Sequence, residues 1–457
     1  MPTITKLLVA NRGEIAARIM RTARELDVAT VAVFSDADAG APFVQAADEA
    51  VPLPGLTPAD TYLQAGRIID AARRTGADAV HPGYGFLSEN AKFAQAVNDA
   101  GLTWVGPPPA AIEAMGSKIA AKVLMASAGV PVLPGITVGD GNGTGTAGLA
   151  AQTAREIGYP VLVKAAFGGG GRGMRVVRDP AGLAGAVASA QREATTSFGN
   201  GTVFLERYVD SPRHVEVQIF GDTQGNVVHL FERECSIQRR YQKIIEEAPS
   251  PAVGDDLRRE LGEAAVAAGK AIGYTGAGTV EFILDGDGGF YFLEVNTRLQ
   301  VEHPVTELVT GLDLVALQLA VAEGQPLPDA ARFATLSGHA VEARLYAEDV
   351  AAGFLPGTGT VDAFAVPGLP GVRVDAGVAA GQEISVHYDP MLAKVIAWGA
   401  TRDEACRRLA RALAETRLHG VVSNRELLVG ILREPEFRSG AIDTGYLTRH
   451  DPAGLAR

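Results

Sequence analysis

Apolar residues recur with the spacing of helices in some stretches of the chain and of strands in others. Residues 6–10 form a largely apolar run that predicts a buried strand, residues 15–26 have the spacing of a helix, and residues 30–34 predict a second strand. A helix between two strands predicts a parallel sheet. A helix over residues 62–74, a strand over 79–81 and a helix over 91–100 continue this N-terminal α/β pattern.

The middle of the chain predicts a separate, mobile unit. A helix is predicted over residues 112–128, and residues 130–149 are dense in glycine and proline, which is typical of a connection. A small α/β pattern follows, with a helix over 150–157, strands over 160–165 and 175–178, a helix over 181–197 and a strand over 202–206. A glycine-rich loop, residues 167–174, lies between the first two of these strands.

The remaining residues predict one α+β body. Strands are expected over residues 214–220, 227–232, 279–284, 290–295, 339–346, 372–376 and 394–398, and helices over 258–272, 312–323 and 402–417.

Two of these strands form a predicted β-hairpin within residues 278–303. Asp-Gly is the favoured pair of a two-residue turn, and it occurs at Asp287-Gly288 and also at Asp285-Gly286. The first turn gives three facing pairs: Glu281 with Glu294, Thr279 with Asn296, and Ile283 with Phe292. It also turns six apolar or aromatic residues to the core: Val280, Phe282, Leu284, Tyr291, Leu293 and Val295. The second turn would separate Glu281 from Glu294, so the register stays open.

Facing carboxylates repel each other across a sheet, so a cation is expected between them. Glu281, Glu294 and Asn296 offer hard oxygen ligands, which suit Mg²⁺ in the company of substrate phosphates. Arg298 and Glu302 follow directly and add a cation and a candidate base. The competing interpretation is that Glu281 and Glu294 are solvated strand residues.

Other polar segments add candidate chemistry. Backbone N–H groups of the loop 168–173 could approach phosphate oxygens closely, with Lys164 as a nearby charge, although the loop is not a P-loop and could be a plain surface hairpin. The polar run 232–243 has the composition of a solvated face, yet Arg239, Arg240 and Lys243 could form an anion pocket. Cys235 is expected to be an inert packed thiol.

Two polar residues on predicted strands have a structural and a functional interpretation. His214 stands at the start of a strand, where a lone histidine is more often structural. Arg344 shares a strand face with Glu342, and a surface ion pair would account for it.

Composition narrows the class of protein. A length of 457 residues suggests roughly three domains, and 47% hydrophobic with 21% charged residues is typical of a globular protein. The net charge of −12 argues against a nucleic-acid partner. The two cysteines, Cys235 and Cys406, favour a reducing compartment. With neither a signal peptide nor a long apolar stretch, a cytoplasmic location without a membrane is expected. The turn after the first predicted strand, residues 11–14, lacks the sequence G-x-G-x-x-G, which excludes a Rossmann dehydrogenase.

Taken together, these segments resemble biotin carboxylase, a member of the ATP-grasp superfamily. The matching pieces occur in the family's order and span nearly the whole chain: ANRGEIAARI, HPGYGFLSEN, MGSK, GGGGRGM, RHVEVQ, ERECSIQRRYQKIIEEAP, EVNTRLQVEHPVTE, GHAVEARLYAED and YDPMLAKVIAWG. The resemblance implies a three-part fold: an N-terminal parallel α/β domain (residues 1–112), a mobile lid subdomain (136–206) and a C-terminal antiparallel-sheet body (207–457). A helical connection (113–135) joins the first two parts.

The resemblance also implies roles for individual residues. ATP contacts are implied at Lys118, Lys164, Gly170, Gly171, Glu206, Arg207, Tyr208, Val209, His214, Tyr241, Glu281 and Glu294. Metal ligands are implied at Glu281, Glu294 and Asn296, bicarbonate contacts at Lys243, Arg298 and Val301, and biotin contacts at Tyr84 and Arg344. Arg298, Glu302, Lys243 and Arg344 would be catalytic, with Glu302 as the base that deprotonates bicarbonate. Phe167, Arg207 and Tyr241 depart from the family's commoner residues, which puts the detailed ATP contacts in doubt.

The implied reaction carboxylates biotin in two steps. Bicarbonate attacks the γ-phosphate of ATP to give carboxyphosphate and ADP, and N1 of biotin then captures the released CO₂. The implied cofactors are ATP and two Mg²⁺ or Mn²⁺ ions, and the expected partners are a biotin carrier protein or domain, a carboxyl-transferase subunit and a second copy of the chain. No Met-Lys-Met biotinylation sequence occurs, so a separate subunit or an excised domain is expected.

The final acceptor and the function itself stay open at this point. An acyl-CoA carboxylase is favoured, but acetyl-CoA, propionyl-CoA, a longer acyl-CoA, pyruvate and urea all remain as final acceptors. The competing functions are an ATP-grasp ligase that activates an acid for an amine, and a catalytically silent subunit that keeps the fold.

Overall fold

The computed structural model describes residues 3–139, 146–165, 174–198 and 201–456. Within them, the N-terminal unit (residues 3–112) contains a parallel sheet with the strand order β3-β2-β1-β4-β5. Its strands are β1 (Lys6–Val9), β2 (Ala29–Ser35), β3 (Glu49–Leu53), β4 (Ala79–His81) and β5 (Thr103–Trp104). The helices of this unit and of the connection after it are α1 (Gly13–Glu25), α2 (Pro42–Ala46), α3 (Ala65–Thr75), α4 (Ala91–Asp99), α5 (Pro109–Met115) and α6 (Lys118–Ser127). The predicted parallel sheet is confirmed.

The second unit is a small antiparallel sheet with two helices against it. Its strands, in the order β6-β9-β7-β8, are β6 (Gly135–Val138), β7 (Val161–Ala165), β8 (Arg175–Val177) and β9 (Val203–Arg207). The helices α7 (Thr146–Ile157) and α8 (Pro180–Phe198) bury apolar side chains such as Ala154, Leu183 and Val187 in a core of their own with the sheet. The glycine-rich loop predicted to fold over a nucleotide lies almost entirely outside the described residues, as do Phe167, Gly170 and Gly171.

The third unit is built on a large antiparallel sheet with the strand order β14-β13-β10-β11-β12-β15-β22-β20. The strands of this unit are β10 (Arg213–Gly221), β11 (Val227–Arg239), β12 (Gln242–Ala248), β13 (Gly276–Leu284), β14 (Phe290–Asn296), β15 (His339–Tyr346), β16 (Glu348–Asp349), β17 (Leu355–Pro356), β18 (Gly359–Thr360), β19 (Ala363–Ala365), β20 (Val372–Ala376), β21 (Glu383–Ile384), β22 (Met391–Gly399) and β23 (Arg417–His419). Its helices are α9 (Asp255–Ala271), α10 (His303–Thr310), α11 (Leu314–Ala322), α12 (Asp329–Arg332), α13 (Arg402–Ala414), α14 (Arg425–Arg433), α15 (Pro435–Ser439), α16 (Tyr446–Arg449) and α17 (Pro452–Leu455).

One apolar helix joins the N-terminal unit to the large sheet. The sequence of α11, LVALQLAVA, is apolar on nearly all sides, as expected of a helix that is covered all round. Leu314 and Val315 of α11 share a buried core with Ile15 and Ile19 of α1 and with Ala277 of β13. Through this core, α1 and the start of the chain pack against the strands that carry the candidate site.

Several predicted helices differ from the observed ones at their ends: α3 begins at Ala65 and not at residue 62, and α7 begins at Thr146 and not at residue 150. Two further helices differ as well. The single helix expected over residues 112–128 is two helices, because the chain breaks at Gly116 and the Ser117 side chain accepts a hydrogen bond from the N–H of Ala120 at 3.4 Å, capping α6. Lys118 therefore starts a helix instead of lying within one. The helix expected over 402–417 ends at Ala414, and its last predicted residue, Arg417, is the first residue of strand β23.

The hairpin of β13 and β14 pairs its carboxylates as predicted, but for a different reason. The turn is not a two-residue turn: residues 285–289 connect the strands, and the Asp285 side chain accepts the N–H groups of Asp287 and Gly289 at 3.1 and 2.7 Å. This odd-length connection shifts the ladder by one residue, and a bulge with Leu293 as its extra residue shifts it back. The shift from the longer connection and the shift from the bulge cancel, so Glu281 still faces Glu294.

The bulge also changes which side chains of β14 enter the core. Ile283 faces Tyr291 and not Phe292, because the pairs beyond the bulge are shifted. Phe292 is fully buried opposite Phe282, whereas Tyr291 and Leu293, predicted as core residues, are only partly buried. The predicted pairs Thr279 with Asn296 and Glu281 with Glu294 are confirmed.

No single helix in the described residues has the length and apolar composition of a membrane span. The helices α10 and α11 meet that test only when they are taken together, and they are bent by 96°.

We expect Phe292→Ala to lower the free energy of unfolding by about 3 kcal/mol, because the variant leaves a cavity in a closed core. Leu293→Ala on the same strand should cost less than half as much, since that side chain is partly solvated. Thermal unfolding of the two variants and the wild type tests the bulge. An equal loss at both positions, or a larger loss at Leu293, would mean that β14 follows the straight ladder.

Candidate active site

The large sheet brings charged residues from several strands into one row. Glu294 of β14 faces Glu281 of β13, Glu281 faces Glu216 of β10, and Glu216 faces Arg233 of β11. Residues that face each other on neighbouring strands project from the same side of a sheet. Three carboxylates and one guanidinium are therefore side by side on one face.

The ammonium of Lys243, from β12, is the centre of this charge cluster. It donates to Glu216 Oε2 at 2.6 Å, to Glu281 Oε1 at 2.9 Å and to Glu302 Oε1 at 2.8 Å. Burial alone would lower the pKa of Lys243, but the three carboxylates more than offset it and raise the pKa well above its ordinary value. Lys243 is thus a fixed positive charge, as the predicted anion contact requires. Arg239, also proposed for an anion pocket, instead bonds Glu348 at 2.8 Å.

Glu302, the predicted base, is held between two cations. Its Oε1 accepts from Lys243, and its Oε2 accepts from Arg344 Nη2 at 3.0 Å. Burial raises the pKa of Glu302, but Lys243 and Arg344 more than offset it and hold the pKa well below its usual range. The carboxylate is therefore ionised, which is the form that accepts a proton.

Arg344 is buried, so the interpretation of Arg344 as a surface ion pair is wrong. Its side chain is 9% exposed, and its Nε donates to Glu246 Oε1 at 2.5 Å. Burial raises the pKa of Glu246 to about 7, in spite of Arg344. Glu342, which faces Glu246 across β12 and β15, has both carboxylate oxygens without a hydrogen-bond partner among the described residues, and burial raises its pKa well above the ordinary value.

Arg298 lies in the segment that leaves β14, residues 297–302, which we call the anion loop. Its guanidinium donates to Glu89 Oε2 at 3.0 Å, to Gln300 Oε1 at 2.8 Å and to Asn296 Oδ1 at 3.1 Å. Glu89 comes from the N-terminal unit and also accepts the backbone N–H of Thr297 at 3.0 Å. Sequence reasoning assigned no role to Glu89, although it belongs to the quoted segment HPGYGFLSEN.

The predicted metal ligands meet at the end of the hairpin. Glu281 accepts from His214 Nε2 at 2.8 Å and from Asn296 Nδ2 at 2.8 Å, and burial of its charge is more than offset by Lys243 and His214, so its pKa lies well below the usual range. Burial and the neighbouring Glu281 raise the pKa of Glu294, whose side chain is 44% exposed. An acid that faces a second acid in this way fits a cation, and carboxylate and amide oxygens are the donors that Mg²⁺ takes. The interpretation as solvated strand residues is wrong for Glu281, which is buried.

The predicted ATP contacts fall into two groups in the structure. Lys164 and Glu206 are paired, and Lys122 of α6 bonds the second oxygen of the same carboxylate, so Lys122 is a site residue that the sequence analysis left without a role. Lys118 Nζ lies 3.7 Å from Glu294 Oε2. This group joins the small sheet to the hairpin.

The second group of predicted ATP contacts follows the chain between the small and the large sheet. Arg207 is exposed at the end of β9, Tyr208 is half-buried and Val209 is buried. Tyr241 stands at the tight turn between β11 and β12 with φ of 69° and is 65% exposed. Tyr241 and Tyr208 are close enough to interact electrostatically, so this turn lies near the segment between the two sheets.

The polar run 232–243 is not a solvated face, contrary to its composition. It forms β11, the turn and the start of β12, and Glu232, Arg233 and Glu234 in it are buried. Arg233 is fully buried and bonds Glu216 Oε1 at 2.6 Å, Gln218 at 2.8 Å, and Thr279 and Thr306 at 3.0 Å. Most charges in the run are therefore buried and paired, whereas Arg240 at the turn is exposed, and composition alone does not reveal this difference.

The two cysteines are free, buried thiols. Cys235 Sγ is 3.9 Å from Glu302 Oε1, and burial with nearby carboxylates raises its pKa well above the ordinary value. A thiol in that state is a poor nucleophile, in agreement with the prediction of an inert cysteine.

The predicted biotin contact Tyr84 and the predicted bicarbonate contact Val301 are both held by buried charges. The Tyr84 hydroxyl donates to Glu14 Oε1, and the Val301 carbonyl oxygen accepts from Lys394 Nζ at 2.7 Å. Sequence reasoning missed both Lys394 and Glu14. Lys394 was only the first residue of a predicted strand, and Glu14 lay in the turn before the first predicted helix.

Comparison with known families gives three successive matches along the chain. The family model "Biotin carboxylase, N-terminal domain" matches residues 3–112. The model "Carbamoyl-phosphate synthase L chain, ATP binding domain" matches residues 117–330, and "Biotin carboxylase C-terminal domain" matches residues 342–449.

Individual proteins resemble the chain over its whole length. Biotin carboxylase of Halalkalibacterium halodurans is 48% identical over 97% of this chain and 97% of its own. The mitochondrial methylcrotonoyl-CoA carboxylase subunit alpha of Oryza sativa is 53% identical over 98% of this chain, which spans 60% of the length of that subunit. A crystal structure of the biotin carboxylase domain dimer of Hydrogenobacter thermophilus 2-oxoglutarate carboxylase, with MgADP, ADP and bicarbonate, has a TM-score of 0.92 at 44% identity and covers 100% of this chain and 99% of that one.

We expect Lys243→Gln to destabilise the protein by about 3–5 kcal/mol, because three buried carboxylates lose the ammonium that neutralises them. The double variant Lys243→Gln/Glu302→Gln should recover part of that loss, since one of the carboxylate charges is then removed as well. Thermal unfolding of the single and double variants at the same pH makes the comparison. If the double variant is less stable than the single variant, Lys243 does not act through the charge of Glu302.

Proposed function

The chain belongs to the biotin carboxylase family, and we propose that it uses ATP and bicarbonate to carboxylate biotin. The observation that carries this proposal is the position of Glu302 between Lys243 and Arg344, with Arg298 on the same loop. This arrangement offers an ionised base and fixed cations for a small anion at one point. The paired carboxylates Glu281 and Glu294 lie beside it.

Binding of the nucleotide is proposed at the junction of the small and the large sheet. Lys118 and Lys164 would contact phosphate oxygens, and Arg207, Tyr208, Val209, His214 and Tyr241 would line the nucleotide pocket. Lys122 and Lys164 both pair with Glu206, so the phosphates would have to compete with this carboxylate for their charge. Gly170 and Gly171 remain predicted contacts that the described residues do not test.

A divalent cation would be held by Glu281, Glu294 and Asn296. When bound with ATP, Mg²⁺ or Mn²⁺ neutralises the charge of the phosphates during phosphoryl transfer. The contribution of this chain is to hold the oxygen donors at one end of the hairpin. Because Lys243 and His214 already balance Glu281, Glu294 is the carboxylate that gains most from a cation.

Bicarbonate is proposed to bind at the anion loop. Lys243 and Arg298 would hold its oxygens, and the backbone of Val301 would close the pocket. Glu302 would then accept the bicarbonate proton, which increases the negative charge on the oxygen that attacks the γ-phosphate and gives carboxyphosphate and ADP. The buried position of Glu302 keeps competing water away from this step.

Biotin is proposed to bind between Arg344 and Tyr84. The guanidinium of Arg344 can donate to the ureido oxygen. As carboxyphosphate breaks down into CO₂ and phosphate, the phosphate would take the proton of N1, N1 would attack CO₂, and Arg344 would stabilise the negative charge that grows on the ureido oxygen. Glu246 and Glu302 hold Arg344 from two sides, so its orientation is fixed before biotin arrives.

The wider assembly is also part of the proposal. We infer the domain division 1–112, 113–135, 136–206 and 207–457, a homodimer, a biotin carrier protein or domain and a carboxyl-transferase subunit. The resemblance to methylcrotonoyl-CoA carboxylase subunits, of which this chain spans about 60%, favours an acyl-CoA as the final acceptor. A cytoplasmic location remains a prediction, since the relatives include mitochondrial proteins.

The direct test is ADP release by the purified chain with ATP, Mg²⁺ and bicarbonate, with and without free biotin. Stimulation by biotin is the expected result. ADP release that biotin leaves unchanged would favour a ligase that acts on an amine, and absence of ADP release would favour a silent subunit.

We expect Arg298→Ala to lower biotin-stimulated turnover by at least about a hundredfold, because an anion contact of the transition state is lost, while the affinity for ATP changes little. Arg332→Ala, at a half-exposed arginine on α12, is the matched control and should leave turnover unchanged. Steady-state kinetics and nucleotide titration check both. Normal turnover in Arg298→Ala would contradict the assignment of the bicarbonate pocket.

A further inference from the structure

Lys394 is a fully buried lysine on β22, the strand next to the edge strand β20 of the large sheet. It lies on β22, directly opposite Arg344 of β15 and opposite Asp375 of β20. Its ammonium donates to the Val301 carbonyl oxygen at 2.7 Å and lies 3.3 Å from Glu14 Oε2. Lysine is almost never fully buried without a partner, so these contacts account for its charge.

Glu14 continues this contact into the N-terminal unit. It is the second residue of α1 and is buried, and its Oε1 accepts the hydroxyl hydrogen of Tyr84. The charge of Arg344 acts on the Tyr84 hydroxyl, so these two side chains share one environment. A continuous path of polar contacts therefore runs from Val301 through Lys394 and Glu14 to Tyr84.

Packing alone does not explain this pair. A buried ion pair costs several kcal/mol in desolvation, and apolar residues of similar volume often give equal or greater stability. The apolar core around α11 already holds the N-terminal unit against the sheet. What these polar groups add is direction, because the hydrogen bonds from Lys394 to the Val301 carbonyl and from Tyr84 to Glu14 fix the orientation of the groups at both ends of the ion pair.

We propose that Lys394 and Glu14 are positioning residues for biotin carboxylation, a role that rests on the proposed function. Lys394 fixes the Val301 peptide and with it the anion loop that carries Arg298 and Glu302. Glu14 accepts the hydrogen bond of the Tyr84 hydroxyl and so fixes the orientation of this hydroxyl in the biotin pocket. The ion pair between the two units therefore aligns the bicarbonate side of the site with the biotin side.

The effect on each substrate separates this role from a structural one. We expect Lys394→Met to raise the KM for bicarbonate about tenfold, the loss expected of one charge-assisted hydrogen bond, while the affinity for ATP stays the same. Glu14→Gln keeps the volume of the side chain but cannot both neutralise Lys394 and accept from Tyr84. It should raise the KM for biotin by a similar factor.

A double-mutant cycle tests whether Glu14 acts through Tyr84. Tyr84→Phe removes only the hydroxyl, so Glu14→Gln should have no further effect on the KM for biotin in a Tyr84→Phe background. Glu323→Ala is the matched control. Glu323 also joins the two units, since its Oε1 accepts the N–H of Ile4 at 2.8 Å, and its loss should change thermal stability and leave both KM values unchanged.

The possible results decide between the two roles. Effects of Glu14→Gln and Tyr84→Phe that simply multiply, or variants that lose thermal stability at unchanged KM values, would overturn the positioning role. If Lys394→Met fails to fold, the cycle between Glu14 and Tyr84 still gives the answer. A wild type without biotin stimulation would overturn the proposed function itself, whereas an active wild type with unaffected variants would overturn only this inference.

Discussion

The ammonium group of Lys243 is the interaction on which the site depends. Glu216, Glu281 and Glu302 come from different parts of the chain, and each would repel the others in a buried place without a cation at their centre. By bonding all three, Lys243 keeps two of them ionised at a depth where a carboxylate would otherwise hold its proton. In the strand order of the large sheet, β10 and β11 separate β12 from β13, so the contact between Lys243 and Glu281 spans two intervening strands.

Much of the fold was open to prediction, because it is encoded in local spacing. The bounds of β15 and β20 match the predicted strands, and the N-terminal parallel sheet follows from the strand and helix order. The prediction of a solvated face for the polar segment 232–243 was wrong, because most of its charges pair with residues of other elements. Arg233, for example, pairs with Glu216 on a neighbouring strand, and a short window of sequence does not show that partner. Local composition describes what a segment contains, but burial depends on what lies opposite.

The candidate site shows the same limit. Arg298 and Glu302 were identified from a short motif, and the structure adds Glu89 and Glu14 from the N-terminal unit and Lys122 from α6. All three pair across units, over sequence separations that no spacing rule covers. The consequence is a candidate site assembled from three units, in which the charges on most of the predicted residues, such as Lys243, Arg298 and Glu302, are paired with other side chains. Under the proposed function, substrates would exchange contacts with Glu89 and Glu206, so binding would be linked to rearrangement of side chains.

The bulge at Leu293 lets the short strand β14 meet two requirements that a regular ladder could not meet together. In a regular strand, the side chains at positions 292 and 294 project from the same face of the sheet. Phe292 could then not stay in the core while Glu294 stays on the opposite, partly exposed face. The extra residue uncouples them. Evolution can then change the length of the five-residue connection 285–289 without reorienting the acid, provided that each change of one residue is matched by loss or gain of the bulge. Related chains should therefore vary in both features together.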